Sequence, residues 1–258
     1  MKVLQFLFTS SIGRKVLMAL TGLFLVLFLV IHLLGNLQLL KDDGGYAFNK
    51  YAWFMTTNPL IKTVSYLLYA TILLHAFKGL YLAFQNRKAR GAKAYGAYNG
   101  GANSHWTSRN MGLLGTVILL FIVGHMADFW WEYKFGDIPW TKYETSIIDE
   151  TTTATDMSSE DHGAHIRMGV AGDKEVFITK DLYKETAEAF EQGWLVALYV
   201  LAMAMIAFHL WHGFASAFQS LGINHSGWNP LIKGLGVIVS VAIPIGFAII
   251  PLYVYFLK

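Results

Sequence analysis

The sequence predicts an all-α integral membrane protein, a bundle of five transmembrane helices. Three observations carry this. The 258 residues are 55% hydrophobic, with a mean hydropathy of +0.42. The apolar residues gather into runs of about 20 or more, long enough to cross a bilayer. The charges are segregated into the stretches between those runs.

The spans read as about Ile12–Leu40, Leu60–Gln85, Met111–Trp131, Gly193–Gln219 and Leu231–Leu257. The first begins beside Arg14 and Lys15 and is far longer than the 7–15-residue apolar core of a signal peptide, so it is expected to be retained. The second and fifth are entered through Asn58-Pro59 and Asn229-Pro230, and proline suits the first turn of a helix. Pro244 and Pro251 lie inside the fifth span, where they are expected to kink it; transmembrane helices tolerate this. No internal repeat and no separate soluble domain is evident, so residues 1–258 read as one membrane domain.

Between the second and third spans lie Arg87, Lys88, Arg90, Lys93 and Arg109, with no acidic residue. Between the third and fourth, Glu132 to Glu191 holds 14 of the 17 acidic residues against six Lys/Arg, a net charge of −8. The positive-inside rule places the basic segment and the Arg14/Lys15 end in the cytoplasm. The 132–192 segment and the C-terminus then lie outside. Within that segment, Thr145 to Asp161 is rich in Thr, Ser and acids and reads as loop. Thr179 to Gln192 reads as a short helix leading into the fourth span, with Thr179 as N-cap and Asp181 in the first turn.

The chain has no cysteine. That excludes disulfides, cysteine-ligated iron–sulfur clusters and covalent haem attachment through C-x-x-C-H. Any haem is therefore held by side chains such as His or Met. No nucleic-acid partner is expected of a chain with this composition.

Of nine histidines, His105 and His225 fall in inner loops, and His162 and His165 in the acidic outer segment. His32, His75, His125, His209 and His212 lie within spans, where an ionisable side chain is costly and points to function. His32 lies 17 residues past Lys15 and His125 lies 16 past Arg109; at helical rise both are roughly 25 Å from the inner rim. His75 lies 12 residues before Arg87 and His209 lies 11 before Ser220, each roughly 17 Å from that rim. The histidines thus form two depth-matched pairs, on spans one and three and on spans two and four.

Two histidines facing each other from separate helices are the arrangement a b-type haem requires. With both axial positions filled, such a haem suits electron transfer, and two at different depths make a path across the membrane. Gly79 and Gly213 follow His75 and His209 by four residues, leaving room one turn away for a flat macrocycle. His32 and His125 have Asn36 and Phe129 there instead. Proton-relay histidines are the competing reading, but such sites usually include buried carboxylates, and these spans hold almost none. His212 lies on a neighbouring part of the His209 face, and depth alone separates the two only slightly.

The segments SSIGRKVLMALTGLFLVLFLVIHLLGN, LLHAFKGLYL and FHLWHGFASAFQSLGINH resemble the single-chain, five-helix dihaem cytochrome b anchor of succinate:quinone oxidoreductases, the family of succinate dehydrogenases and fumarate reductases. The similarity covers nearly the whole length and is weakest in the outer segment. It implies two haem b groups, the outer on His32 and His125 and the inner on His75 and His209. In that family the span-four ligand is followed by glycine four and thirteen residues on; Gly213 and Gly222 satisfy this from His209 and not from His212.

The resemblance also implies partners: an FAD-containing flavoprotein that handles succinate or fumarate, and an iron–sulfur subunit that exchanges electrons with the inner haem. The Arg87–Lys93 stretch with Arg109 is a candidate docking surface for them. Arg14, Lys78 and Arg109 are candidate partners for haem propionates. The substrate at the other end is a membrane quinone, menaquinone more than ubiquinone, near the Asp42/Asp43 loop or the Asp128 end of span three. The setting is the respiratory chain and tricarboxylic acid cycle in the bacterial cytoplasmic membrane. Some fumarate reductases of the family carry glutamate two residues before the span-four ligand, implicated in proton transfer. Ala207 stands there in this chain, so no proton path is expected at that position. Two further readings stay open: a dihaem cytochrome b of another respiratory oxidoreductase, such as a hydrogenase or formate dehydrogenase, and a transporter or assembly protein without cofactor.

Overall fold

The computed structural model describes residues 2–91, 105–157 and 167–258. Its elements in chain order are α1 (Lys2–Thr9), α2 (Ser11–Asn36) with a 3-10 turn at Leu37–Leu40, α3 (Tyr46–Thr57) and α4 (Pro59–Arg90). Then come α5 (Trp106–Arg109), α6 (Met111–His125) continued by a π-helical turn at Met126–Trp131, and α7 (Glu132–Phe135). Strands β1 (Trp140–Ser146), β2 (Thr152–Asp156), β3 (Arg167–Ala171) and β4 (Lys174–Lys180) follow. Helices α8 (Leu182–Phe190), α9 (Gly193–Ser220) and α10 (Asn229–Leu257) complete the chain.

Five helical stretches are long and apolar enough to cross a membrane: Ser11–Leu40, Pro59–Ala89, Met111–Phe135, Gly193–Ser220 and Asn229–Leu257. The chain is a multi-pass membrane protein, and its spans start and stop within a few residues of where hydropathy placed them. Apolar side chains such as Leu27, Leu67, Leu120 and Ile238 stand exposed along them, as contact with lipid tails requires.

The helix ends follow local chemistry. The Ser10 hydroxyl accepts from the Gly13 amide at 2.9 Å at the start of α2. Asn58 Oδ1 accepts from the Leu60 amide at 2.9 Å at the start of α4, with Pro59 next to the cap. Helix α4 outruns its apolar stretch. Arg87, Lys88 and Arg90, expected in a loop, lie in its last turns, where long basic side chains favour helix and cations suit the dipole; Gly91, at φ +73°, follows. Lys93 lies outside the described residues. At the end of α9, the Ile223 amide reaches the Phe218 carbonyl at 2.9 Å and the Gly222 amide reaches Gln219 at 3.1 Å. Gly222 has φ +81°, which makes a Schellman cap. The glycine thirteen residues after His209 is thus explained by helix termination.

The 132–192 segment corrects the sequence reading. The short helix before span four is present, as Leu182–Phe190, but the stretch read as loop carries a four-stranded antiparallel sheet in the order β2-β1-β4-β3, so the five-helix bundle is not accompanied by helix alone. The central pair runs in the register Thr141↔Thr179, Tyr143↔Phe177 and Thr145↔Glu175. The helix after it is capped by Asp181, which accepts from the Lys184 amide at 3.0 Å, and not by Thr179, which belongs to β4. On the other face, Lys142 and Lys174 bond Glu144. These bonds, Lys142 first, hold its carboxyl down at about 2. Their benefit is present above the ordinary carboxylate range and fades only as pH falls toward that value; at an exposed position it is small.

The chain divides into two compact units. One comprises Met1–Ile31, Val64–Ile122 and Val200–Phe247; the other comprises His32–Thr63, Val123–Tyr199 and Ala248–Lys258. Among described residues the first is helical, with Ala19, Leu68, Leu114, Met203, Ile206 and Phe214 in its core. The second holds the sheet. Tyr46 and Trp53 of α3 lie edge-on to Phe177 at 6.3 and 5.8 Å, so α3 packs on one sheet face. Under it, Asn49, Thr141, Tyr143 and Asp181 are all buried. Lys258 ties the end of α10 into the same unit, donating to the Leu39 and Lys41 carbonyls at 3.1 and 3.2 Å and to the Tyr183 hydroxyl at 2.6 Å.

Gly35 is a close-approach position. A Cβ built there would collide with the Tyr51 ring of α3. Replacing Gly35 with alanine is expected to displace that ring and cost about 1–3 kcal/mol, read as a lower melting temperature in detergent. A variant that melts with the wild type would show that α3 moves without cost.

Candidate functional site

The structure brings the four predicted histidines together in two pairs, each within one compact unit. His32 of α2 and His125 of α6 have ring centroids 5.8 Å apart and planes at 77°. His75 of α4 and His209 of α9 have centroids 6.4 Å apart and planes at 70°. Of the two histidines on α9 it is His209 that meets His75. His212 is half-buried, and His105 and His225 are exposed. His162 and His165 lie outside the described residues.

Each pair has surroundings of its own. His75 Nδ1 lies 3.0 Å from Thr21 Oγ1. A Cβ on Gly22 would stand 3.3 Å from His75 Cε1, and one on Gly115 would stand 3.7 Å from His209 Cε1. These two glycines seat the rings. Gly79 and Gly213 face only the methyl ends of Met18 and Met111, at 3.7 and 3.9 Å from a built Cβ. The Nδ1 atom of His209 is buried and has no hydrogen-bond partner among the described residues, a deficit worth roughly 1–3 kcal/mol if left uncompensated.

In the other unit, His125 Nδ1 lies 3.1 Å from the Tyr199 hydroxyl, and His32 Nδ1 lies 3.3 Å from the Asn36 amide nitrogen. Phe129, Tyr199 and Phe190 form an aromatic wall, with Phe129 5.4 Å from the His125 ring and Phe190 5.1 Å from Tyr199. The π-helical turn that begins at Met126 rotates everything after His125, including Asp128, relative to a regular helix. Sequence reasoning missed Thr21, Gly22, Gly115 and Tyr199. All are residue types common in ordinary helix packing, and only their contact with a histidine ring distinguishes them.

Metal geometry can be compared directly. Imidazole–metal bonds are about 2 Å long, so one ion between two opposed imidazoles sets ring centroids roughly 6 Å apart by that bond length. The pairs, at 5.8 and 6.4 Å, lie near this value, which is also within the range of an edge-to-face ring contact. Two imidazoles are the protein ligand set of a b-type haem, and the donor set of each pair fits that group.

The remaining candidates are placed as follows. Arg14 donates to Gln85 Oε1 at 3.0 Å. The Lys78 ammonium sits over the rings of Phe8 and Tyr81, at 4.7 and 5.8 Å. Arg109 is exposed at the end of α5. Asp43 caps α3, accepting from the Gly45 and Ala47 amides at 3.1 and 3.0 Å. Beside it lies an open cleft of about 580 Å³, lined by Lys41, Asp43, Tyr46, Lys50, Tyr51, Trp53 and Phe54 among others. Tyr51, which touches Gly35, links this cleft to the turn of α2 that follows His32. No family model, curated protein or solved structure matches this chain.

Proposed function

We propose that this protein is the dihaem cytochrome b anchor of a succinate:quinone oxidoreductase, carrying electrons between an iron–sulfur subunit and a membrane quinone. The observation that carries the proposal is the pair of histidine couples, His32–His125 and His75–His209, each at a separation suited to one iron. The family and its partners rest on the sequence resemblance. A haem held by two imidazoles of this chain would supply one-electron chemistry.

This chain's residues have distinct tasks in that reading. His75 and His209 would hold the inner haem, and His32 and His125 the outer one. Arg14, Lys78 and Arg109 are the candidate cations for haem propionates. The basic stretch Arg87–Lys93, with Arg109, is the candidate docking surface for the iron–sulfur and flavoprotein subunits. The quinone, menaquinone on the resemblance, takes the cleft beside α3, where aromatic rings flank the head group and Lys50, Asp43 and Tyr51 offer polar contacts. The bacterial cytoplasmic membrane, with the N-terminus inside, is the location this assigns.

The test is spectroscopic. The complex purified from its native membrane is expected to show low-spin haem bands at two haems per chain, reduced within the turnover time by succinate and reoxidised by a menaquinone analogue. Absence of haem from folded protein would refute the reading. Haem reduced by hydrogen or formate and not by succinate would reassign the chain to another respiratory enzyme.

A further inference from the structure

Thr21 stands on α2 and is buried. Its hydroxyl donates to the Leu17 carbonyl at 2.8 Å, with the Met18 carbonyl also near, at 3.1 Å. A hydroxyl has one proton and two lone pairs. With that proton on the backbone, Oγ1 is left to accept from His75 Nδ1, 3.0 Å away; in that arrangement Nδ1 carries the ring proton and the lone pair of the neutral imidazole is on Nε2.

The neighbouring residue addresses the same ring edge. Gly22 leaves His75 Cε1 and Nδ1 clear, at 3.3 and 3.9 Å from where a Cβ would be. One residue thus grips the Nδ1 edge and the next makes space for it. Across the site, His209 Nδ1 has no partner among the described residues, so hydrogen-bond control of this pair comes through His75.

We propose that Thr21 is a positioning residue that fixes His75 as the Nδ1–H tautomer, presents Nε2 as the iron ligand and lowers the midpoint potential of the inner haem. This rests on the dihaem reading above. The sign follows from the hydrogen bond. An acceptor on the distal N–H makes an imidazole a more basic ligand, and a more basic ligand favours ferric over ferrous iron. Removing the acceptor raises the potential.

The experiment is a redox titration of both haems in the assembled complex, for wild type, Thr21→Val and Thr21→Ser. Valine keeps the shape and removes the oxygen; serine keeps the oxygen. Thr21→Val is expected to raise one of the two midpoint potentials, or to lose that haem alone, with the second haem unchanged and Thr21→Ser titrating as wild type. Both potentials unmoved in Thr21→Val would overturn the assignment. So would equal shifts in the valine and serine variants, or an effect on both haems, since each marks a packing effect. A wild-type complex without haem would instead sink the dihaem reading itself.

Discussion

On the dihaem reading proposed above, replacing His125 with alanine is expected to halve the haem content of the protein, from two per chain to one, and to leave the remaining haem with its wild-type spectrum and potential. The expectation follows from how little the two sites share. His32 and His125, with Asn36, Phe129 and Tyr199, belong to one compact unit; His75 and His209, with Thr21, Gly22 and Gly115, belong to the other. Loss of one of two axial imidazoles removes half of the coordination that holds a non-covalent haem, and without cysteine no thioether tether can retain it. His75→Ala should produce the converse. Pyridine haemochrome assay against protein concentration measures the ratio. Loss of both haems, or of neither, would contradict the pairing.

The spans and the histidine pairs were legible for one physical reason. A lipid-exposed helix must be apolar over about 20 residues, and an ionisable side chain inside it stands out against that background. Counting at helical rise then brought His32 to His125 and His75 to His209, which the fold places side by side. The outer segment offered no such contrast. Strand β1 alternates, with Thr141 and Tyr143 buried, but β4 buries Phe177, Ile178 and Thr179 in a row, and each strand is only seven residues long and is embedded among acids. Strand β2, Thr152–Asp156, is exposed at every position, so no burial pattern exists to read. Thr21 and Tyr199 were invisible for a third reason. Their roles depend on which ring they touch, and a contact across 54 or 74 residues leaves no local trace.

The buried polar cluster beneath α3 yields the largest expected effect on stability. Asp181 accepts from the Asn49 amide at 2.8 Å, from the Thr141 hydroxyl at 2.6 Å and from the Lys184 amide at 3.0 Å. Asn49 also donates to the Tyr143 hydroxyl at 2.8 Å and accepts from the Tyr183 amide at 3.1 Å; Tyr143 donates to the Gly44 carbonyl at 3.1 Å. Burial, with the Asp181 carboxylate nearby, keeps the Tyr143 phenol neutral well above the usual tyrosine range, so it stays a donor at any working pH. One carboxylate thus joins α3, the central strand β1 and the cap of α8. Asp181→Ala strands the Asn49 and Thr141 donors out of water, and hydrogen bonds to a charged acceptor are the costly ones to lose, so the expected penalty is on the order of 3–5 kcal/mol. It should be read as a lower melting temperature in detergent and as earlier proteolysis within 140–190 than in the wild type. Wild-type melting and proteolysis would show that α3 is held by its Tyr46 and Trp53 packing alone. The variant also separates two parts of the functional reading. Asp181 bonds Asn49, Thr141 and Lys184, so on the dihaem reading both haems should remain, whereas the cleft lined by Tyr46, Lys50, Tyr51 and Trp53 depends on where α3 sits. Slower haem reoxidation by a menaquinone analogue at unchanged haem content would tie quinone access to that cleft, and wild-type reoxidation in a variant shown to have lost α3 docking would remove the quinone from it.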